Sequence, residues 1–223
     1  MAPASPWLLW QLTDSAFPAG GFAHSSGLET AAQLGEIRTE GELERIVREG
    51  LDQAGHTTLP LMSDAYRLPA RLPELATLIE ATLTNHVARR ASLAQGSALL
   101  SSSVSAFERQ TLRALRQRLL MDAVPQHYAP LFGVVSRELD VLLDEAQRAW
   151  LFIHLRGAIS SAVRLGLVGP LAGQALQHRL GPVADDVLKR CAILGSRDVA
   201  QTAPLLDLYQ GHHDRLYSRL FSS

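Results

Sequence analysis

Apolar residues recur every three to four positions along most of this chain, with polar residues between them. One such stripe comprises Leu43, Ile46, Val47, Leu51 and Ala54. Thr39 and Glu42 stand ahead of it with the S/T-x-x-E spacing of a capping box, in which each side chain bonds the other residue's backbone N–H. The pattern therefore predicts an amphipathic helix that begins near Glu40.

The same spacing predicts further helices at residues 73–87, 91–102, 107–121, 128–143, 145–167, 171–180 and 183–194. The period-two alternation that is typical of strands is missing. Glycine-proline pairs such as Gly181-Pro182 fall between predicted helices, where they end one helix and begin the next. We predict an all-α, single-domain helical bundle of about eight to ten helices over residues 1–223. Its N-terminal segment (about 1–10) is expected to be mobile, and its C-terminal part (about 204–223) to be a docking tail.

Composition narrows the classes of partner. The chain has 223 residues, of which 47% are hydrophobic and 19% are charged, a balance typical of a folded globular protein. Its formal net charge of -1 argues against binding to nucleic acid or to an anionic membrane. Cys191 is the only cysteine, so we expect neither a disulfide nor a cysteine-built zinc site. We also find no signal-peptide pattern at the N-terminus, and we predict a cytoplasmic protein.

The segment DSAFPAGGFAHSSGLE, Asp14–Glu29, has the most unusual composition in the chain. A glycine-rich turn that leads into a helix can bind an anion, because backbone N–H groups are left unpaired there. The segment lacks the lysine of a P-loop and the spacing of a dinucleotide fingerprint. The alternative is a tight turn that seats Phe17 and Phe22 in the core, and local physics favours this structural interpretation.

The sequence gives only weak indications of catalytic or metal-binding residues. The histidines are scattered, and only His212, His213 and Asp214 form a local group. Neighbouring residues on a helix point about 100° apart, so this group is poorly suited to chelate one ion. A hydrolytic triad could be assembled from Asp14, His24 and a serine at 25 or 26, but proximity in sequence does not make a triad. We therefore predict no catalytic residue, no cofactor and no metal site.

Two other segments are suited to interfaces. Residues 157–176 are rich in glycine, alanine and serine, which let helices approach closely, so this helix packs either within the chain or against another subunit. Arg164 lies inside this segment and needs a carboxylate or carbonyl partner if it is buried. The C-terminal residues 216–221 combine Tyr, Arg, Leu and Phe, which interfaces favour.

Five segments together resemble the UreF family of urease accessory proteins. They are FPAGGFAHSSGLE, ARRASLAQGSALL, HYAPLFGVVSREL, SAVRLGLVGPLAGQ and the terminal YSRLFSS. They occur in the family's order and cover nearly the whole chain. The position of His24 is commonly Tyr in the family, so a role of a tyrosine hydroxyl there does not carry over.

The resemblance implies an all-α, non-catalytic protein that is usually a homodimer. It implies a scaffold or chaperone that binds the accessory protein UreD (also called UreH) and recruits the GTPase UreG, so that nickel reaches apo-urease. Two alternatives stay open, namely a regulator of GTP hydrolysis by UreG and a metallochaperone that carries nickel itself.

The resemblance and the local chemistry together indicate a set of partner-binding residues. We expect Glu29 to be a polar contact, Arg164 to shape a dimer or complex, and Tyr217–Phe221 to become ordered when UreD binds. Arg219 would then make the directional hydrogen bonds that a guanidinium allows. The full set is Phe17, Gly20, Gly21, Phe22, His24, Ser26, Gly27, Glu29, Arg137, Arg164, Tyr217, Arg219, Leu220 and Phe221.

Overall fold

The computed structural model describes residues 5–223, and this part of the chain contains ten α-helices and no β-strand. The helices are α1 (Pro6–Thr13), α2 (Leu28–Gln33), α3 (Glu40–Arg67), α4 (Leu72–Thr82), α5 (His86–Phe107), α6 (Gln110–Met121), α7 (Tyr128–Glu138), α8 (Leu143–Arg164), α9 (Pro170–Cys191) and α10 (Pro204–His212). The predicted all-α fold is confirmed. Within residues 5–223, no helix combines the length and the apolar character needed to cross a membrane.

The longest helix, α3, forms the centre of the bundle and packs against α7, α8 and α9. The capping box predicted for its start is present, because the Thr39 side chain accepts the Glu42 N–H and the Glu42 carboxylate accepts the Thr39 N–H. Where α7 crosses α3, a Cβ atom on Gly133 would collide with the carbonyl oxygen of Met62. This crossing therefore requires glycine, since any side chain would push the two backbones apart.

An aromatic cluster fills the core beside this crossing. The rings of Tyr128, Phe132 and Trp150 lie with their centroids 5.0 to 6.2 Å apart, and all three residues are buried. The indole N–H of Trp150 donates to Thr58 Oγ1 at 3.0 Å, so its polar atom is paired. Burial raises the pKa of Tyr128 to about 12.

Among the predicted helix boundaries that the structure corrects, two change how the chain divides into helices, for opposite reasons. The helix predicted over residues 73–87 ends at Thr82, and a new helix starts at His86 because the Asn85 side chain accepts the N–H groups of Val87 and Ala88. The helices predicted at 171–180 and 183–194 are one helix, α9, which continues through Pro182. Its buried residues lie on both sides of this proline, so packing maintains the helix where local chemistry favours a break.

The N-terminal segment is partly described. Residues 1–4 of the expected mobile segment lie outside the described residues, whereas Pro6–Thr13 form α1. Leu12 is buried, and the guanidinium of Arg156 in α8 donates to the carbonyl of Thr13 at the end of α1. These two contacts attach α1 to the bundle.

Candidate partner-binding site at the turn and the terminal segment

The glycine-rich turn, residues 14–27, lies beside the last eight residues of the chain, 216–223, which we call the terminal segment. Gly27 allows this arrangement, because its φ is +92° and a Cβ there would lie 2.9 Å from the carbonyl oxygen of Leu206. Helix α10 thus passes directly over the turn before the chain reaches the terminal segment. Other residues would suffer both strain and a steric clash at this position.

The two aromatic rings of the turn have different environments. Phe17 packs against the core and stacks on Phe107, with 6.0 Å between ring centroids. Phe22 is 61% exposed, so the interpretation that both rings enter the core is correct for Phe17 and wrong for Phe22. The Phe22 ring instead stacks on a guanidinium, which does not require burial.

That guanidinium belongs to Arg164, which lies between two phenylalanine rings. Its Cζ atom is 3.7 Å from the centroid of Phe22 and 4.2 Å from that of Phe221, and its Nη1 donates to the Phe22 carbonyl. The partner required for Arg164 is therefore a carbonyl oxygen and two aromatic faces. The residue links the turn, α8 and the terminal segment.

A buried carboxylate holds the terminal segment in place. Glu29 is only 2% exposed, and it accepts the backbone N–H groups of Leu220 at 2.6 Å and Phe221 at 3.2 Å. His213 Nε2, on a side chain with no exposed surface, donates to the same carboxylate at 3.1 Å. A buried carboxylate needs such partners, since its desolvation is otherwise costly. Glu29 is thus an internal clamp, and in this structure it does not point outward as the expected polar contact.

Backbone pairing extends this contact to the last residues. The Ser222 N–H donates to the Ala23 carbonyl at 2.7 Å, and the Ser25 N–H donates to the Ser223 carbonyl at 2.6 Å. His24 Nδ1 lies 2.6 Å from Ser223 Oγ. Burial, followed by the charges of Arg90 and His213, lowers the pKa of His24.

Charged residues surround the outer side of the terminal segment. Asp214 accepts two hydrogen bonds from the Arg90 guanidinium at 2.8 and 2.9 Å, and one from Arg219 at 3.3 Å. His86 Nε2 lies 3.3 Å from the same carboxylate. The hydrogen bonds and charge of Arg90, followed by those of His86, lower the pKa of Asp214 to about 2. Arg219 is therefore already paired within the chain, whereas Tyr217 is fully exposed.

Most of the predicted site residues are brought together here, but not all. Gly20 and Gly21 lie at the edge of the turn near Gln95, and Ser26 is exposed with a φ of +53°. Arg137 is in a different place, where it donates to the carbonyls of Tyr66 and Arg67 on α3. It is not part of this cluster.

Sequence reasoning missed three residues that organise the site. They are Arg90, His213 and Asp214. The group His212-His213-Asp214 was noticed, but only as a weak metal candidate. The partners of His213 and Asp214 are 184 and 124 residues away along the chain, so no local spacing reveals them.

The catalytic alternatives are not assembled. Asp14 accepts the Ala16 N–H at 2.7 Å and His24 contacts Ser223, so the triad considered for the turn is not formed. Among residues 5–223, no three His, Cys, Asp or Glu side chains come together in a way that could hold a metal ion.

Glu80, His127 and Ser92 are arranged as carboxylate, imidazole and hydroxyl, as in a catalytic triad, but their contacts indicate a structural role. His127 lies between Glu80 at 2.8 Å and Ser92 Oγ at 3.1 Å. His127 is buried, and Ser92 Oγ also accepts the N–H of Tyr128, the first residue of α7. This trio therefore caps the start of α7 and connects it to α4 and α5.

The fold and the site define an all-α protein whose terminal segment is docked on a glycine-rich turn. The family model described as UreF matches residues 37–181. The chain is 42% identical to Urease accessory protein F of Oryza sativa subsp. indica, over 97% of this chain and 85% of that protein. It is 40% identical to Urease accessory protein F of Arabidopsis thaliana, over 97% and 92%. It is 31% identical to Urease accessory protein UreF of Paenarthrobacter aurescens, over 96% of each.

The family model matches more than half of this chain, and the alignments with the three relatives cover nearly all of it. The chain belongs to the UreF family of urease accessory proteins.

Proposed function

We propose that this protein is a non-catalytic scaffold of urease maturation in the cytoplasm. In this proposal it binds UreD (UreH), and the pair then recruits the GTPase UreG so that nickel reaches apo-urease. Its membership in the UreF family supports the general role. The observation that carries the proposal is the docked terminal segment, which presents large side chains on an anchored backbone.

The exposed residues of this site suit a protein partner. Phe22, Tyr217 and Leu220 are at least half exposed on the surface of the turn and the terminal segment, and Arg219 is exposed beside them. Aromatic residues and arginine dominate binding energy at interfaces. Because Glu29 already fixes the backbone of Leu220 and Phe221, binding would order fewer groups than a free tail requires.

The expected ordering of Tyr217–Phe221 on partner binding is correspondingly narrower. Leu220 and Phe221 already contact the body of the protein in this structure. We infer that UreD binding mainly changes the side chains of Tyr217 and Arg219. Arg219 would exchange its single 3.3 Å bond to Asp214 for a carbonyl or carboxylate of UreD, while Arg90 keeps Asp214 neutralised.

A homodimer would use the small-residue surface of α8 and α9. A Cβ atom placed on Gly157 of α8, on Gly181 of α9, or on Gly166 or Gly169 between these helices would meet no atom of another part of the chain within 4 Å, so these positions open outward. Leu171, in the first turn of α9, is strongly exposed. Arg164, by contrast, is occupied within the chain and would affect such an interface only by holding the end of α8.

The two alternative roles have less support. A metallochaperone needs a set of ligands, and the described residues contain no group of three. A regulator of UreG would need a free arginine to supply to the GTPase, and in the proposal above Arg219 is engaged by UreD.

Size-exclusion chromatography with light scattering tests the proposal directly. The protein is measured alone, with its cognate UreD, and with UreD, UreG and GTP. We expect a dimer alone, a discrete complex with UreD and uptake of UreG by that complex. Absence of any complex would overturn the scaffold assignment.

A matched pair of variants tests the role of Arg219. Arg219→Ala should weaken the UreD complex about tenfold or more, as expected for an interface arginine. Arg215→Ala removes an exposed arginine that forms no ion pair within residues 5–223, and we expect an unchanged complex. Equal behaviour of the two variants would remove Arg219 from the site.

A further inference from the structure

Helix α6 carries an unusual charge pattern on the side of the bundle that α5 and α7 support. Its residues 110–121 include Arg113, Arg116 and Arg118 and no acidic residue, although the whole chain has a net charge of -1. Within residues 5–223, none of these three guanidinium groups forms an ion pair with a carboxylate. The acidic neighbours Glu108 and Asp122 flank the helix without bonding to them.

Many other exposed arginines of the bundle are paired with carboxylates, and exposed Arg38, Arg197 and Arg215, which form no ion pair with any described residue, lie singly at separate places in the chain. Arg89 and Arg90 on α5 pair with Glu80 and Asp214, and Arg148 on α8 pairs with Asp185. An unpaired cluster on one helix therefore differs from the rest of the surface. It leaves a local positive field on a protein that is nearly neutral.

The exposed side of α6 presents its side chains in a row, which we call the ridge. Leu112, Leu115 and Leu119 are buried, so the remaining faces of the helix are exposed. Arg109, Arg113, Arg116 and Leu120 are spaced by four, three and four residues, and they form one line about 16 Å long. Leu120 is 60% exposed and Met121 is 78% exposed, which gives the ridge an apolar end.

We propose that this ridge is a docking surface for an acidic amphipathic helix of a partner protein. Carboxylates at the same spacing would meet Arg113 and Arg116, since a guanidinium is weakly hydrated and binds carboxylates in a bidentate manner. One apolar residue of the partner helix would cover Leu120 and Met121. Arg109 already pairs with Asp140 at 3.1 Å, so it marks the end of the ridge.

A membrane fits this surface less well. A helix that binds a bilayer inserts its hydrophobic face, and here that face is buried in the core. Only Leu120 and Met121 remain to contact lipid. Nucleic acid also fits less well, because three free guanidinium groups on a chain of net charge -1 make a small basic footprint.

The test uses the whole protein and a fluorescein-labelled helical peptide of about 16 residues. The peptide carries glutamates at i, i+4 and i+7 and leucine at i+11, and binding is followed by fluorescence anisotropy at low and at physiological ionic strength. We expect saturable binding that R113E/R116E weakens about tenfold or more. The milder variant R113Q/R116Q should bind the peptide with an affinity between those of the unchanged protein and R113E/R116E. It keeps the proposal testable if charge reversal disturbs α6.

A matched control reverses the same number of charges elsewhere. R148E/K189E changes exposed Arg148 on α8 and exposed Lys189 on α9, whose partners Asp185 and Asp186 both lie on α9, and we expect binding within about twofold of the unchanged protein. Circular dichroism confirms that each variant is folded.

Three results would overturn the proposal. The first is no measurable binding of the peptide. The second is equal binding of a scrambled peptide with the same composition, which would show attraction to any polyanion. The third is tighter binding to phosphatidylserine-containing vesicles or to a short DNA duplex than to the peptide, with the same loss in R113E/R116E.

Discussion

In the core around α3, many apolar side chains share the stabilisation, whereas in the turn and terminal segment a few polar groups hold two distant parts of the chain together. Trp150, Phe132 and their neighbours are buried by packing from α3, α7 and α8. The terminal segment depends on Glu29, on Arg164 and on four backbone hydrogen bonds to the turn or to Glu29.

This difference separates two kinds of stability. Apolar packing is lost in a cooperative way when the bundle unfolds, while a segment held by a few hydrogen bonds can open by itself. A residue of the core should therefore change global unfolding, and a residue of the site should change local opening. The site can release or rearrange its segment for a partner without unfolding the bundle.

Trp150→Ala tests the core side of this comparison and has the largest expected effect. We expect it to lower the free energy of unfolding by about 3–5 kcal/mol, because it removes a large buried ring and leaves a cavity. Urea denaturation measures this effect. Phe152→Ala, two residues away and partly exposed, should cost less than about 1.5 kcal/mol. Equal losses would contradict a core centred on Trp150.

Glu29→Gln tests the site side. The amide keeps the size of the carboxylate but weakens the acceptor for Leu220, Phe221 and His213, so opening of the terminal segment should become easier by about 1–3 kcal/mol. Hydrogen exchange at residues 220–223 reports this opening. Glu49→Gln, which changes a partly exposed carboxylate on α3 that pairs with Arg45, is the control and should change nothing there. A large fall in global stability without local opening would show that Glu29 belongs to the core.

Arg164→Ala sharpens the comparison within the site. Loss of the guanidinium between Phe22 and Phe221 should ease opening by about 0.5–2 kcal/mol. Arg164→Lys should retain part of this, because an ammonium can still lie over a ring. If Arg164→Ala leaves opening unchanged, the stacking of the guanidinium contributes nothing measurable to docking. If Arg164→Lys behaves like Arg164→Ala, the whole contribution belongs to the planar guanidinium.

The pH dependence of docking has the smallest expected effect. The pKa of His24 is lowered in the docked structure, so the detached form takes up a proton more readily. His24 therefore stabilises docking fully above its ordinary pKa of about 6.5, and this contribution is lost as the pH falls toward the lowered value. An environment-sensitive fluorophore at Ser218 can report docking between acidic and neutral pH.

His24→Gln isolates this contribution from that of neighbouring groups. His213, Glu29 and Asp214 also lie near the terminal segment and remain unchanged in this variant. We expect a smaller loss of docking at acidic pH than in the unchanged protein. An identical pH profile in both proteins would exclude His24 as the source.

Several features of the fold follow from short stretches of sequence. The capping box of Thr39 and Glu42 and the stripe that begins at Leu43 are local patterns, and the structure confirms the helix they predict. The absence of strand-like alternation correctly indicates an all-α fold. These features are predictable because helix caps and amphipathic faces join residues only three or four positions apart.

The helix ends and the site were decided by tertiary contacts. Thr82 ends a helix whose apolar pattern continues, and α9 passes through Pro182, because caps and packing outweigh local preference at these places. The site residues of the turn were found by composition and resemblance, but their roles were not. The hydrogen bonds from Leu220 and Phe221 to Glu29 span 191 and 192 residues. No periodic pattern relates residues so far apart, so only the folded chain shows that Glu29 holds the terminal segment and that Arg164 stacks between two rings.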